Sequence, residues 1–182
     1  MNDMLIRLAF VLIAIIALNA QANEYVWDQV NDYTTPDIYR DIATFSPFGQ
    51  EFTPSLNCLE IVELEVSNFM SDPARLTINI RSDSITGLLV GTSNTVTIQG
   101  YYTGKSTFLF FPVELQPGSK YIIELIRTEG NAGIGGYSPA GYPSGCAVLW
   151  GVPYDEIDLW FREGVIKETA LHRLTWGSIK TL

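Results

Sequence analysis

The chain has 182 residues, 47% of them hydrophobic, and a formal net charge of −9. That length supports one principal domain with a sizeable core. The acidic balance excludes the clustered Lys and Arg of a nucleic-acid footprint and disfavours binding to an anionic membrane. A single histidine, His172, excludes a histidine-based triad or a His-rich zinc site in the body of the protein.

The first 22 residues read as an export signal. Arg7 precedes the unbroken apolar run Leu8 to Leu18, and Ala20 and Ala22 set small residues at the −3 and −1 positions of a cleavage site. The run is too short to span a bilayer, which takes about 20 apolar residues. No cysteine follows Ala22 to take a lipid. The expectation is cleavage after Ala22 and a protein that is secreted or periplasmic, with no membrane insertion once the signal is removed. The two cysteines, Cys58 and Cys146, predict one disulfide in that compartment. Such a bond would stabilise by about 4 kcal/mol in the chain-entropy model.

After the signal come short β-type segments. Asn23 to Asp28 is aromatic and β-prone, and Gln29 to Pro47 is polar and turn-rich. Phe48 to Thr53 predicts a strand. In Cys58 to Val66 the residues Val62, Leu64 and Val66 alternate with Glu63 and Glu65, the period of a half-buried strand. Arg75 to Arg81 repeats the pattern, with Leu76, Ile78 and Ile80 inward. Leu88 to Gly91 and Thr95 to Gln99 predict short strands around a Ser-Asn turn. Thr107 to Val113 is apolar on both faces and predicts a central or covered strand. Pro117-Gly118 is a turn, and Tyr121 to Ile126 a further strand. Glu129 to Gly145 reads as a long Gly/Ser/Pro loop. Gly145 to Gly164 predicts two closing strands that turn at Gly151-Val152-Pro153. The pattern gives about eight to ten strands: an all-β, antiparallel two-sheet β-sandwich of the jelly-roll type over residues 23–164. Residues 165–182 differ. Leu171, Leu174, Ile179 and Leu182 fit a helical stripe among Lys167, His172, Arg173 and Lys180, so a short C-terminal helix or flexible tail is expected.

Chemistry is sparse. Glu156 and Asp158 alternate onto one face of a predicted strand, but Trp160 holds the next position, where a glycosidase strand of this kind needs its second carboxyl. Arg162 continues that face and Glu163 points to the other. Gly133-Ile134-Gly135-Gly136 lacks the strand-to-helix context of a phosphate loop. Tyr101, Tyr102, Tyr137 and Tyr142 lie in turn-rich segments and are the candidate ligand-binding residues, since a phenol ring offers an apolar face and a polar tip.

The order WDQ, FGQEFTP, LEIVELEV, RLTINIR with GLLVG, FFPVELQPGSKYIIEL and DLWFREG resembles secreted bacterial jelly-roll modules of the galactose-binding-like and carbohydrate-binding-module-like kind, over about Tyr25 to Gly164. The motifs that carry the likeness are structural rather than catalytic. The resemblance implies a structural calcium ion, for which Asp28, Asn31, Asp32, Asp155 and Glu156 offer oxygen ligands. The expected function is a non-catalytic exported structural or assembly protein of the envelope or extracellular matrix. Its partners would be a glycan or another envelope or matrix protein. The alternative is a secreted carbohydrate-binding module; a glycoside hydrolase is a remote third.

Overall fold

A computed structural model describes residues 24–32 and 34–167. The predicted export signal, residues 1–22, and the tail beyond 167 lie outside the described residues. Val26–Ile166 forms one unit. Of the termini, Glu24 and Lys167 are described, and they form an ion pair at 2.9 Å.

Fourteen strands among the described residues form two antiparallel sheets of seven. In the first sheet β1 (Glu24–Asn31) pairs with β14 (Phe161–Lys167), which pairs with β4 (Cys58–Ser67). β8 (Thr103–Glu114) and β10 (Gly133–Tyr137) also pair with β4, and β2 (Ile38–Asp41) and β13 (Asp158–Leu159) pair with β10. The second sheet runs β12 (Val152–Tyr154), β11 (Ala147–Leu149), β3 (Phe48–Phe52), β9 (Tyr121–Glu129), β5 (Ala74–Ser82) and β6 (Leu89–Thr92), with β7 (Val96–Ile98) also on β5.

Alternation builds the core between them. Val62, Leu64 and Val66 of β4 and Leu76, Ile78 and Ile80 of β5 are buried, while Glu63, Glu65, Thr77 and Asn79 face outward and are half-buried. Phe48, Phe52, Phe108 and Phe161 are fully buried and join both sheets in one apolar cluster. Removing one such ring costs about 3–5 kcal/mol.

Four sequence expectations change. First, the Glu129–Gly145 segment is not all loop: β10 lies within it and is wholly buried. Glycine hides the strand from any hydrophobic pattern and is what makes it possible. A Cβ on Gly135 would sit 2.6 Å from Cγ of Pro36, so only glycine lets the 34–36 loop lie against the sheet there. Second, Gly145 to Gly164 holds four strands, β11 to β14, and crosses from one sheet to the other. The hairpin turns at Trp150-Gly151, with φ of 53° and 80°, as two-residue type I′ loops require. Trp150 is held in that conformation by its backbone N–H to Phe45 O (2.8 Å) and its indole N–H to Thr44 O (3.0 Å).

Third, β8 is not central. Within its sheet it pairs with β4 alone, and Phe111 is 89% exposed. Fourth, Cys58 and Cys146 are both free thiols rather than a disulfide. Cys58 opens β4 opposite Glu114 of β8 in the first sheet. Cys146 precedes β11 of the second sheet, its thiol directed at Glu51 Oε2 (3.8 Å). The two residues belong to different sheets and have different neighbours.

Candidate functional site

Asn68 organises one end of the sandwich. It is fully buried just after β4. Its backbone N–H donates to Tyr102 O (2.7 Å), its side-chain N–H donates to Asp72 O (2.8 Å), and its Oδ1 accepts from Met70 N (2.9 Å). Tyr101 N–H then donates to Met70 O (3.0 Å). These bonds join the loop after β4 to the turn before β8. With the backbone thus satisfied, the side chains of that loop are free to project: Phe69 is 67% exposed, Met70 53% and Tyr101 77%. Tyr101 has φ of 57°, a left-handed backbone that a ring-bearing residue rarely adopts.

Tyr39 of β2 meets Phe69 edge-to-face, with ring centroids 6.0 Å apart. The two rings open a cleft of about 400 Å³ whose other walls include Asp41, Ser67, Met70 and Asn131. Asp41 caps the helical turn α1 (Ile42–Phe45), its Oδ1 accepting from Thr44 N (2.7 Å). Ser67 is different. It is completely buried and its hydroxyl has no hydrogen-bond partner among the described residues. A buried polar atom without a partner is costly, and here it lines a cleft.

A second cleft, about 210 Å³, lies on the outer face of the first sheet, bounded by Asp32, Thr34, Thr35, Glu65, Lys105 and Trp160. Lys105 Nζ sits 4.9 Å from the Trp160 ring, and Arg162 stacks between Trp160 (5.4 Å) and Trp27 (5.5 Å). Arg162 also pairs with Asp32 and, at 3.5 Å, with Glu63. Glu65 accepts from the Tyr39 hydroxyl, and burial pushes both Glu65 and Tyr39 above their ordinary pKa values.

The third cleft, about 490 Å³, is bounded by Glu51, Gly141, Tyr142, Cys146 and Asp155. Its reactive atoms are bound into the fold. Burial, a hydrogen bond with Asp155 and the Glu51 charge push the Cys146 thiol up to about 12, so it is not a thiolate nucleophile at neutral pH. Glu51 pairs with Lys120 at 3.2 Å.

The sequence-predicted residues scatter. Tyr101 stands at the aromatic end, and Tyr102 beside it donates to Lys105 O (2.7 Å). Tyr137 and Tyr142 are buried, their hydroxyls donating to Thr34 O (2.6 Å) and Gln29 Oε1 (2.9 Å). Neither ring offers an open face to a sugar. Asp158 is buried and accepts from Gly141 N (2.7 Å), Tyr142 N (2.6 Å) and Gln50 Nε2 (3.4 Å), which makes it a clasp for the 141–142 backbone. Glu156 lies in the turn before β13 and does not share a strand face with Asp158.

The five calcium candidates do not assemble. Asp28 accepts from Ser55 and Leu56; burial alone would raise its pKa, but these bonds hold it below the usual carboxylate value. Asn31 donates to Leu159 O, Asp32 pairs with Arg162, and Asp155 stands at Cys146. Among the described residues, no group of three or more His, Cys, Asp or Glu is arranged to hold a metal ion. One buried acid went unsuspected: Glu163 of β14 is fully buried beside the Asp28 carboxylate, to which its protonated form donates a hydrogen bond. Burial, then the Asp28 carboxylate facing it, raise its pKa to about 9, so it is a neutral acid at pH 7.

No family model matches this chain, and no curated protein is significantly similar to it. Tyr39, Phe69 and Met70 were not singled out from sequence. The signal was there in SNFMSDP: two large apolar side chains in a turn-forming segment between strands, where no core position exists for them.

Proposed function

We propose that this is a non-catalytic exported protein of the envelope or extracellular matrix that works by binding saccharide at its aromatic end. The observation that carries the reading is the Tyr39–Phe69 pair flanking a cleft of about 400 Å³ that Asp41 and the exposed Asn131 also line. A sugar presents an apolar C–H face and a rim of hydroxyls. The rings match the first, and Asp41 and Asn131 the second. Export is supported by the apolar run Leu8 to Leu18 and the Ala20/Ala22 pair. The galactose-binding-like or carbohydrate-binding-module-like resemblance, read on the two-sheet sandwich, agrees with such a role. The absence of catalysis is argued from Asp158, which the fold uses as a clasp, and from the thiol of Cys146, which stays protonated.

A glycan-array screen of the protein, run with calcium and with chelator, tests the reading. Saturable binding to one sugar class, lost in a Tyr39→Ala/Phe69→Ala variant that stays folded, is the expected result. The chelator arm measures any calcium requirement. A blank array from folded protein overturns the saccharide reading. It would favour assembly through a protein partner instead, for which the exposed Trp150, Val152 and Tyr154 along edge strand β12 are the supporting surface.

A further inference from the structure

We propose that Met70 is an oxidation site: a peroxide converts its thioether to the sulfoxide, and the change removes the apolar lip of the Tyr39–Phe69 cleft. The site stands on where the fold puts its sulfur atoms; the consequence for sugar binding rests on the saccharide reading above.

The described residues hold three sulfur atoms, in Cys58, Met70 and Cys146. The other two methionines, Met1 and Met4, lie in the predicted export signal. The three differ in access and in chemistry. Cys146 is buried, with its thiol directed at Glu51. Cys58 is half-buried, opposite Glu114 in the β4–β8 register. A thiol reacts with peroxide as its thiolate. Burial first, and then the acidic groups around them, hold both thiols in the protonated form at neutral pH and below. A thioether has no proton to lose, so its lone pair is available at any pH, and Met70 is 53% exposed.

The fold displays this side chain on a fixed backbone. Met70 N donates to Asn68 Oδ1 (2.9 Å), and Met70 O accepts from Tyr101 N (3.0 Å). Both of its backbone polar groups are thus occupied, and the side chain lines the cleft beside Phe69. It belongs to no part of the buried core, so an oxygen atom can be added without unpacking the sandwich.

The reaction needs only the peroxide. The sulfur lone pair attacks one peroxide oxygen, and the O–O bond breaks as the S–O bond forms. The transferred hydroxyl gives its proton to the departing hydroxide, which leaves as water. Sulfur loses two electrons and the peroxide gains them. The product is polar where the thioether was apolar. At this rim it holds water against the cleft wall that Phe69 forms.

The test treats the folded protein with hydrogen peroxide at pH 5 and pH 7 and locates the added oxygen by peptide mass spectrometry. At pH 5 the Met70 peptide should gain one oxygen before either cysteine peptide gains any, and the Met70 rate should be the same at both pH values. Amide NMR spectra should then show shifts at Phe69, Tyr101 and Asn131 and none in β5 and β9. Affinity for the sugar found on the array should fall at least about tenfold on oxidation. In Met70→Leu, peroxide at pH 5 should change neither the spectrum nor the affinity of that variant. Oxygen entering Cys58 or Cys146 first at pH 5, or Met70 reacting only in unfolded protein, would overturn the site. Met70 oxidised with the cleft amides unmoved would overturn the effect on the cleft. A blank array beside oxidised Met70 and shifted cleft amides would sink the saccharide reading alone and leave this inference standing.

Discussion

The Gly141–Cys146 cleft and the Tyr39–Phe69 cleft have similar volumes, about 490 and 400 Å³, yet opposite chemistry. In the first, the polar groups face one another. Asp158 takes three donors, Glu51 takes Lys120, and the Cys146 thiol lies between Glu51 and Asp155. In the second, the backbone is satisfied internally through Asn68, Phe69 and Met70 stand in solvent beside the half-buried Tyr39, and Asn131 is exposed. The lesson is that volume alone does not say what a cleft offers a ligand. What distinguishes the two is which groups the fold has left over.

Four experiments would break or sharpen that contrast. Asp158→Ala should bring the largest loss of stability. It leaves the Gly141 and Tyr142 amides buried without an acceptor and should cost about 3 kcal/mol. Chemical denaturation measures this, and a loss below about 1 kcal/mol would mean that the first cleft is not held by Asp158.

Glu163→Gln comes next and carries a pH signature. The folded pKa of Glu163, about 9, lies above its unfolded value, so the folded state holds a proton that the unfolded state releases. Stability from this group is therefore complete below about pH 4.5 and falls as pH rises toward 9, levelling beyond it. The amide variant should match the parent near pH 4.5 and gain on it by about 1.4 kcal/mol per pH unit above that until the pH nears 9. Thermal unfolding across pH 4.5 to 9 checks this; parallel curves for the two proteins would count against a neutral, buried Glu163.

Phe69→Ala should behave in the opposite way to Asp158→Ala. Stability should change by no more than about 0.5 kcal/mol, because the ring already stands in water, while affinity for the array's sugar should fall at least about tenfold. A destabilisation as large as that of Asp158→Ala would reverse the contrast. The smallest effect is expected at the thiols. Unfolded without reductant, the protein should take up two alkylating groups by mass spectrometry, as free cysteines require. In the folded state Cys58, half-buried beside Glu60 and Glu114, should react faster at pH 8 than buried Cys146.

The sandwich was legible because β4 and β5 alternate so cleanly that two opposed inner faces follow from Val62/Leu64/Val66 and Leu76/Ile78/Ile80. β10 was not, because a strand made of glycine has no alternation to read. β8 was misjudged for another reason. Leu109 and Phe111 are apolar, but strand order and not strand content decides whether such a face is covered. The site divided along similar lines. Tyr101, singled out from its turn context, stands exposed, whereas Tyr137 and Tyr142, in the same kind of context, are in the core. Their hydroxyls reach Thr34 and Gln29, partners distant in sequence that no local pattern reveals.

The position of β14 bears on how such a chain is made. It is the last described strand in the chain, yet it lies inside the first sheet, between β1 and β4. β1 leaves the synthesis machinery first and has no neighbour to pair with until nearly all of the chain has followed. A molecule wired this way cannot close its first sheet early from its N-terminal part. The first sheet therefore stays open while the rest of the chain is made, and the strand that arrives last joins β1 to β4.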